Sequence, residues 1–106
     1  MNRIAMITGA SGGLGSAVAS KLSDKGWQLA LVTRDLNKSS QNPAITPSCL
    51  IEADVSTAAG ANDAISQCVT ETGQTPTALI NCAGSILMAP LHKTEEDQYR
   101  ECIRAN

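Results

Sequence analysis

The segment Thr8-Gly9-Ala10-Ser11-Gly12-Gly13-Leu14-Gly15 has the residue types and spacing to hold a phosphate group on main-chain amides. It follows the apolar run Ile4-Ala5-Met6-Ile7 and precedes residues of helical periodicity, so the expected order is strand, glycine turn, helix start. Glycine lacks a Cβ, which lets such a turn take positive φ and lets phosphate oxygens approach the backbone. The helix behind it points unpaired N–H groups and the positive end of its dipole at the anion. The spacing reads T-G-x-x-x-G-x-G through Gly9, Gly13 and Gly15, and G-x-G-x-x-G cannot be threaded through it. A plain tight turn is the competing explanation.

Further polar residues fall where other strands are expected to end. Arg34 follows the apolar stretch Trp27 to Thr33. Asp54-Val55 follows Cys49 to Ala53, and Asn81-Cys82-Ala83-Gly84 closes the run that starts at Ala78. In open parallel sheets, ligands sit beyond the carboxyl ends of the strands, where the strand order reverses. Backbone N–H groups near Ser11, Gly13 and Leu14 are therefore candidates for holding a pyrophosphate, and Gly15 for close helix–strand packing. A ribose 2′-hydroxyl is usually held by an acidic residue about 20 positions past the glycine turn, and a 2′-phosphate by arginine. Thr33 and Arg34 stand there, and the planar, always-charged guanidinium suits bidentate phosphate contact. This favours NADP(H) over NAD(H); an ordinary ion pair of Arg34 with Asp35 is the opposing possibility.

The elements that must position these residues alternate. Ile4 to Thr8, Trp27 to Thr33, Cys49 to Ala53 and Ala78 to Asn81 read as four strands. Leu14, Ala17, Val18 and Leu22 recur at helical spacing before Gly26. Ala61, Ala64, Ile65, Cys68 and Val69 mark one face of a second helix, ended by Gly73 and Pro76. Thr94-Glu95-Glu96-Asp97 resembles a capping box opening a last helix, with Tyr99, Cys102 and Ile103 on its inner face. Asn37 to Ser48, with Pro43 and Pro47, has room for at most a short helix. Such alternation implies parallel pairing and right-handed crossovers, hence an α/β doubly wound sheet of Rossmann type over residues 1–106, truncated after about four strands.

Bulk properties narrow the function. A length of 106 residues with 42% hydrophobic residues fits one modest domain, and a net charge of −2 offers no electrostatic support for nucleic acid or a membrane surface. No apolar run reaches membrane-spanning length, and the amino terminus lacks a secretory core. Cys49, Cys68, Cys82 and Cys102 form no C-x-x-C pair and read as buried thiols of a cytoplasmic protein. The sole histidine, His92, has no ligand-spaced neighbour, so no metal site is expected.

Taken together, TGASGGLG at Thr8 to Gly15, Asp54-Val55, Asn81-Cys82-Ala83-Gly84 and the terminal Asn106 behind TEEDQY make the chain resemble the short-chain dehydrogenase/reductase family over nearly its whole length. The third motif departs from the family's N-N-A-G at Cys82. The resemblance implies that Asp54 accepts a hydrogen bond from the adenine amino group, with Val55 helping through its backbone. It also implies that Asn81, Ala83 and Gly84 line the adenosine side and that Asn106 is the catalytic asparagine. The alternatives are a helix N-cap for Asp54 and a strand-end turn for Asn81. At Gly12, NADP-using relatives often carry a second basic residue, which this chain lacks. Met88 and His92 lie in a stretch that could reach the substrate side, although packing or plain loop is the simpler role.

Family members reduce carbonyls or oxidise alcohols with an asparagine, a serine and a Y-x-x-x-K pair. Here Tyr99 is the sole tyrosine, Ile103 stands four residues on, and Tyr99 reads as core. The expectation is the NADP(H)-binding portion of an oxidoreductase that moves hydride between NADP(H) and a small carbonyl or alcohol. The 106 residues alone are expected to be inactive, with an open sheet edge that makes them marginally stable, adhesive or homo-oligomeric. A non-catalytic nucleotide-binding module and an interaction protein are the competing functions.

Overall fold

The run Ile4–Thr8 forms β1, and all 5 of its side chains are buried. A strand covered on both faces belongs at the centre of a parallel sheet, and its alternation decides which helix each residue meets. Residues 3–34, 36, 47, 49–84 and 90–106 are described in the structure, a computed structural model. After β1 come α1 (Gly13–Asp24), β2 (Gln28–Thr33), β3 (Cys49–Glu52), α2 (Ala58–Thr72), β4 (Ala78–Asn81), a 3-10 turn (Leu91–Lys93) and α3 (Glu96–Ala105). The strands pair in the order β3-β2-β1-β4, and every pairing is parallel. Ile4 lies opposite Gln28 of β2, while Thr8 lies opposite both Val32 and Asn81.

The chain winds outward from β1 to β3 and then crosses back to place β4 on the far side of β1. With right-handed crossovers, that reversal sends α1 and α2 to opposite faces. The two core layers follow the pleat. Ile4, Met6, Val32 and Ile51 pack with Ala64 and Cys68 of α2. Ala5, Ile7 and Leu29 pack with Ala19 of α1. This is the Rossmann-like doubly wound α/β sheet expected from the alternation, and its order reverses between β1 and β4. Among the described residues, no helix is long and apolar enough to cross a membrane.

The helices expose more than their periodicity suggests. In α1 the buried line runs through Gly15 and Ala19, while Leu14 is 69% exposed and Ala17 is also exposed. Gly15 faces the turn, and the stripe that meets the sheet is therefore rotated by one residue from Leu14. In α2, Ala64 and Cys68 are buried but Ile65 and Val69 face solvent, because small residues carry the contact with the sheet. No residue of α3 is buried. Tyr99, expected in the core, is 61% exposed and Ile103 is 64% exposed, since no described strand or helix covers their face. The α3 capping box is set one residue later than expected. Glu95 and Gln98 cap reciprocally, with Glu95 N–H donating to Gln98 Oε1 at 2.9 Å. Thr94 instead donates its hydroxyl to the Pro90 carbonyl at 3.2 Å. Of the four free cysteines, Cys49 and Cys68 are buried as expected, but Cys82 and Cys102 are half-buried. Asp35, Met88 and, Pro47 apart, the Asn37 to Ser48 crossover lie outside the described residues.

Candidate functional site

The β1–α1 turn is shaped by two close approaches. Gly9 has φ +66°, and a Cβ there would lie 2.6 Å from the Cys82 carbonyl carbon and 2.7 Å from the Ala83 nitrogen. The loop after β4 thus rests directly on Gly9, and no other residue fits both the backbone angle and the space. At Gly15 a Cβ would sit 2.9 Å from the Ala10 Cα and nearer still to the Gly9 carbonyl oxygen. The turn is also tied to β2 and to itself: Ala10 N–H donates to Val32 O at 3.2 Å, and Gly12 N–H to Gly9 O at 3.1 Å. Helix α1 begins at an N-cap, Gly12, with no side-chain cap and no acidic residue in its first turn. Its amino end is thereby left available to an external anion.

A cleft of about 430 Å³ opens over the carboxyl ends of all four strands. Gly9, Ser11 and Gly12 wall it on the β1 side, Thr33 and Arg34 at β2, and Ala53, Asp54, Val55 and Ser56 at β3. Cys82, Ala83 and Gly84 close it at β4, and Ala105 closes it from α3. Its size falls in the range of small-molecule sites, roughly 300–1,000 Å³. Of the residues singled out from the sequence, Gly9, Ser11, Arg34, Asp54, Val55, Ala83 and Gly84 meet on this wall. Gly13, Leu14 and Gly15 form the first turn of α1 without lining it, and Asn81 also stands off it. Because Asn81 lies opposite Thr8, its Oδ1 accepts the Thr8 hydroxyl in a short hydrogen bond, and Thr8 Oγ1 in turn accepts from Ala83 N–H at 3.3 Å. Asn81 therefore fastens β4 to β1 and sets the loop that follows. Asn106 ends α3 against the same loop: its Nδ2 donates to Cys102 O at 2.7 Å, and a Cβ on Gly84 would run into its amide oxygen.

Asp54 turns the chain into α2. Its Oδ1 accepts the Ser56 N–H at 3.0 Å and the Ser56 hydroxyl, while Thr57 caps α2 by accepting from Gly60 N–H at 3.0 Å. The N-cap is thus Thr57 and not Asp54. Asp54 Oδ2 meets Arg104 Nη1 at 3.2 Å. The Ser56 hydroxyl and N–H, followed by Arg104, hold the Asp54 carboxyl below its usual range. Glu101 Oε1 receives Arg104 Nη2 at 2.7 Å and Arg34 Nη1 at 3.3 Å, and these bonds lower the Glu101 carboxyl as well, that with Arg104 most.

Several contacts of these residues were not legible in the sequence. Thr33 shares a 3.2 Å hydrogen bond with Ser11 across the cleft mouth. Ala105 lines the cleft from α3, and Glu101 and Arg104 of the same helix reach its wall residues Arg34 and Asp54. The common face of these α3 residues could have been read from the i, i+3, i+4 spacing, but nothing in that spacing names Arg34 or Asp54 as partners.

Known proteins resemble the chain in sequence and in fold. Two oxidoreductases from two strains of Staphylococcus epidermidis, described only as uncharacterized, are each 31% identical to the chain over 107 residues, covering 98% of this chain and 46% of the relative. A crystal structure from Brucella melitensis, described as a short-chain dehydrogenase/reductase of the glucose/ribitol dehydrogenase type, superposes with a TM-score of 0.82 at 25% identity, covering 98% of this chain and 45% of that one. The chain spans about half the length of the curated relatives it matches. The family profile described as short chain dehydrogenase matches residues 3–106, from the first strand through the helix that closes the cleft, and the chain belongs to that family.

Proposed function

We propose that this chain is the NADP(H)-binding portion of an oxidoreductase that moves hydride between NADP(H) and a carbonyl or alcohol. The observation that carries the reading is the junction of the Gly9 turn, the uncapped start of α1 and Arg34 on one cleft wall. Two cradle positions, Gly9 and Gly15, have no room for a Cβ, and the uncapped amino end of α1 directly follows the cleft residues Ser11 and Gly12, which suits it to a pyrophosphate. The residues fit a dinucleotide. Ser11, Gly13 and Leu14 offer amide donors, and Gly15 sets how closely α1 approaches. Asp54 accepts from the adenine amino group, Val55 supports it through the backbone, and Ala83 and Gly84 face the adenosine. Asn81 acts indirectly, by holding the Ala83-Gly84 loop through Thr8.

Arg34 is the residue on which the choice of NADP(H) over NAD(H) turns. Its guanidinium gives a 2′-phosphate two parallel donors, where an acidic residue would repel it. The nicotinamide group, when bound, supplies or accepts the hydride. This chain's residues bind and orient it, and Asn106 belongs to the proton-handling end of the site. The serine, tyrosine and lysine that complete such sites in the family are not among these 106 residues, so turnover is assigned to the whole enzyme. Cytoplasmic residence fits the same reading.

Calorimetric titration of the intact protein with NADPH and NADH tests it. The expected result is saturable binding of both, with NADPH tighter by about tenfold, the scale of one charge-assisted contact. Binding of neither at millimolar concentration removes the nucleotide reading, and a preference for NADH removes the choice of cofactor.

A further inference from the structure

The rim of the cleft carries four charged side chains in a row: Arg34 after β2, Glu101 and Arg104 on α3, and Asp54 after β3. One oxygen, Glu101 Oε1, receives both Arg104 Nη2 at 2.7 Å and Arg34 Nη1 at 3.3 Å. Arg104 is bidentate on Glu101, adding Nε to Oε2 at 2.9 Å, and its remaining nitrogen reaches Asp54 Oδ2 at 3.2 Å and Ser56 Oγ at 2.7 Å. Two guanidiniums from distant parts of the chain thus converge on one carboxylate at the rim. Such a fork of cations around an anion is how proteins hold phosphates.

We propose that Glu101 is an internal stand-in for the nucleotide's 2′-phosphate, and that Arg104 is a second arginine for that phosphate beside Arg34. The inference rests on the reading of Arg34 given above and extends it to α3. Arg34 Nη1, which donates to Glu101 at 3.3 Å, is one of the guanidinium nitrogens a phosphate would use, so the two anions compete for it. The carboxylate must swing outward, which its roughly half-exposed position permits, leaving Arg34 and Arg104 to the phosphate. Glu101 then acts as a built-in competitor: it weakens binding of 2′-phosphorylated nucleotides and leaves a free 2′-hydroxyl little affected. Arg104 also supplies a basic side chain that the glycine turn lacks at Gly12. Helix α3 thereby sets specificity, while Asn106, its C-cap, stands against Gly84 of the loop after β4.

Adenosine 2′,5′-bisphosphate and 5′-ADP, titrated into the intact protein by calorimetry, separate the outcomes. Glu101→Gln is expected to tighten the bisphosphate about tenfold and to change 5′-ADP by less than about twofold. Arg104→Met is expected to weaken the bisphosphate about tenfold relative to 5′-ADP. Equal changes for both ligands in both variants, or a loss of 5′-ADP affinity in Glu101→Gln, overturn the proposal. Arg34→Met distinguishes the two levels of inference. If it abolishes the bisphosphate preference while the α3 variants do not move it, the α3 proposal alone falls. If it leaves the preference intact, the reading of Arg34 falls, and the α3 proposal with it. Glu101→Asp, too short to bridge both arginines, serves as a second relief variant if Glu101→Gln folds poorly, and is expected to tighten the bisphosphate in the same direction.

Discussion

Replacing Gly15 by alanine puts the packing of the phosphate turn to a sharp test. On helix propensity alone the change should stabilise the chain by about 1 kcal/mol, since glycine is a poor helix residue. Space opposes this. The added Cβ lies 2.9 Å from both the Ala10 Cα and the Gly9 carbonyl carbon, and closer to the Gly9 oxygen. Carbon atoms in contact prefer about 3.5–4.0 Å, so the start of α1 must withdraw from the turn by roughly 1 Å. The obstacle is backbone, and no side-chain rotation relieves it. Overpacking of this kind costs about 1–3 kcal/mol, which offsets or outweighs the propensity gain and leaves a net loss of up to about 2 kcal/mol. The same withdrawal moves the α1 amides away from the proposed pyrophosphate position and should weaken nucleotide binding at least about tenfold. Gly13→Ala is the control, because a Cβ there has nothing within 4 Å. It should stabilise by about 0.5–1 kcal/mol through the unfolded chain. Urea midpoints by circular dichroism, with unchanged slopes, measure the gap of about 2 kcal/mol between the two variants. A Gly15→Ala protein as stable as Gly13→Ala would refute the steric reasoning.

Other perturbations are equally specific. Thr8→Val removes the hydroxyl that joins Asn81 to the Ala83 amide and should lower stability by about 1–2 kcal/mol in urea unfolding, with much smaller loss when Asn81 is already alanine. The Asp54 carboxyl titrates below its usual range in the folded protein, so between its folded and unfolded values the unfolded chain holds more protons. Its contribution is complete above about pH 4, the ordinary carboxylate value, and is lost as pH falls through the lower folded value. Asp54→Asn should therefore flatten part of the acid limb of a stability–pH curve and leave its slope above pH 6 unchanged. Burial, and then the neighbouring Cys68, push the Cys49 thiol up to about 12. Alkylation at pH 8 followed by peptide mass spectrometry should label the half-buried Cys82 and Cys102 well before Cys49 and Cys68.

Where local rules govern, the elements lie where the residue pattern puts them. β1 and β4 have the bounds expected of them, and β2 and β3 each differ by a single terminal residue. Gly26 and Gly73 fall at the ends of α1 and α2 as expected, since chain stops depend on residues within one turn. Burial of helix faces is less legible in the residue pattern. Leu14, Ile65, Val69, Tyr99 and Ile103 all sit at plausible inward positions yet face solvent. Periodicity shows that a helix has an apolar side; which residues of that side meet the sheet depends on how closely the backbone approaches. In α1, Gly15 decides it.

By itself the chain's order of residues determined an alternating parallel α/β fold, a phosphate-suited glycine turn after β1 and a set of polar residues at four strand ends. Each of these follows from contacts over a few residues or from handedness rules common to all such sheets. Only the tertiary structure decided that Gly9 bears the loop after β4, that Asn81 bonds Thr8, and that Glu101 and Arg104 join Arg34 and Asp54. Those partners are separated by 50 residues or more along the chain, and the linear spacing of side chains carries no record of which will meet. Parallel register and the reversal between β1 and β4 bring them together, because a charge or an amide responds to distance in space and not to separation along the chain.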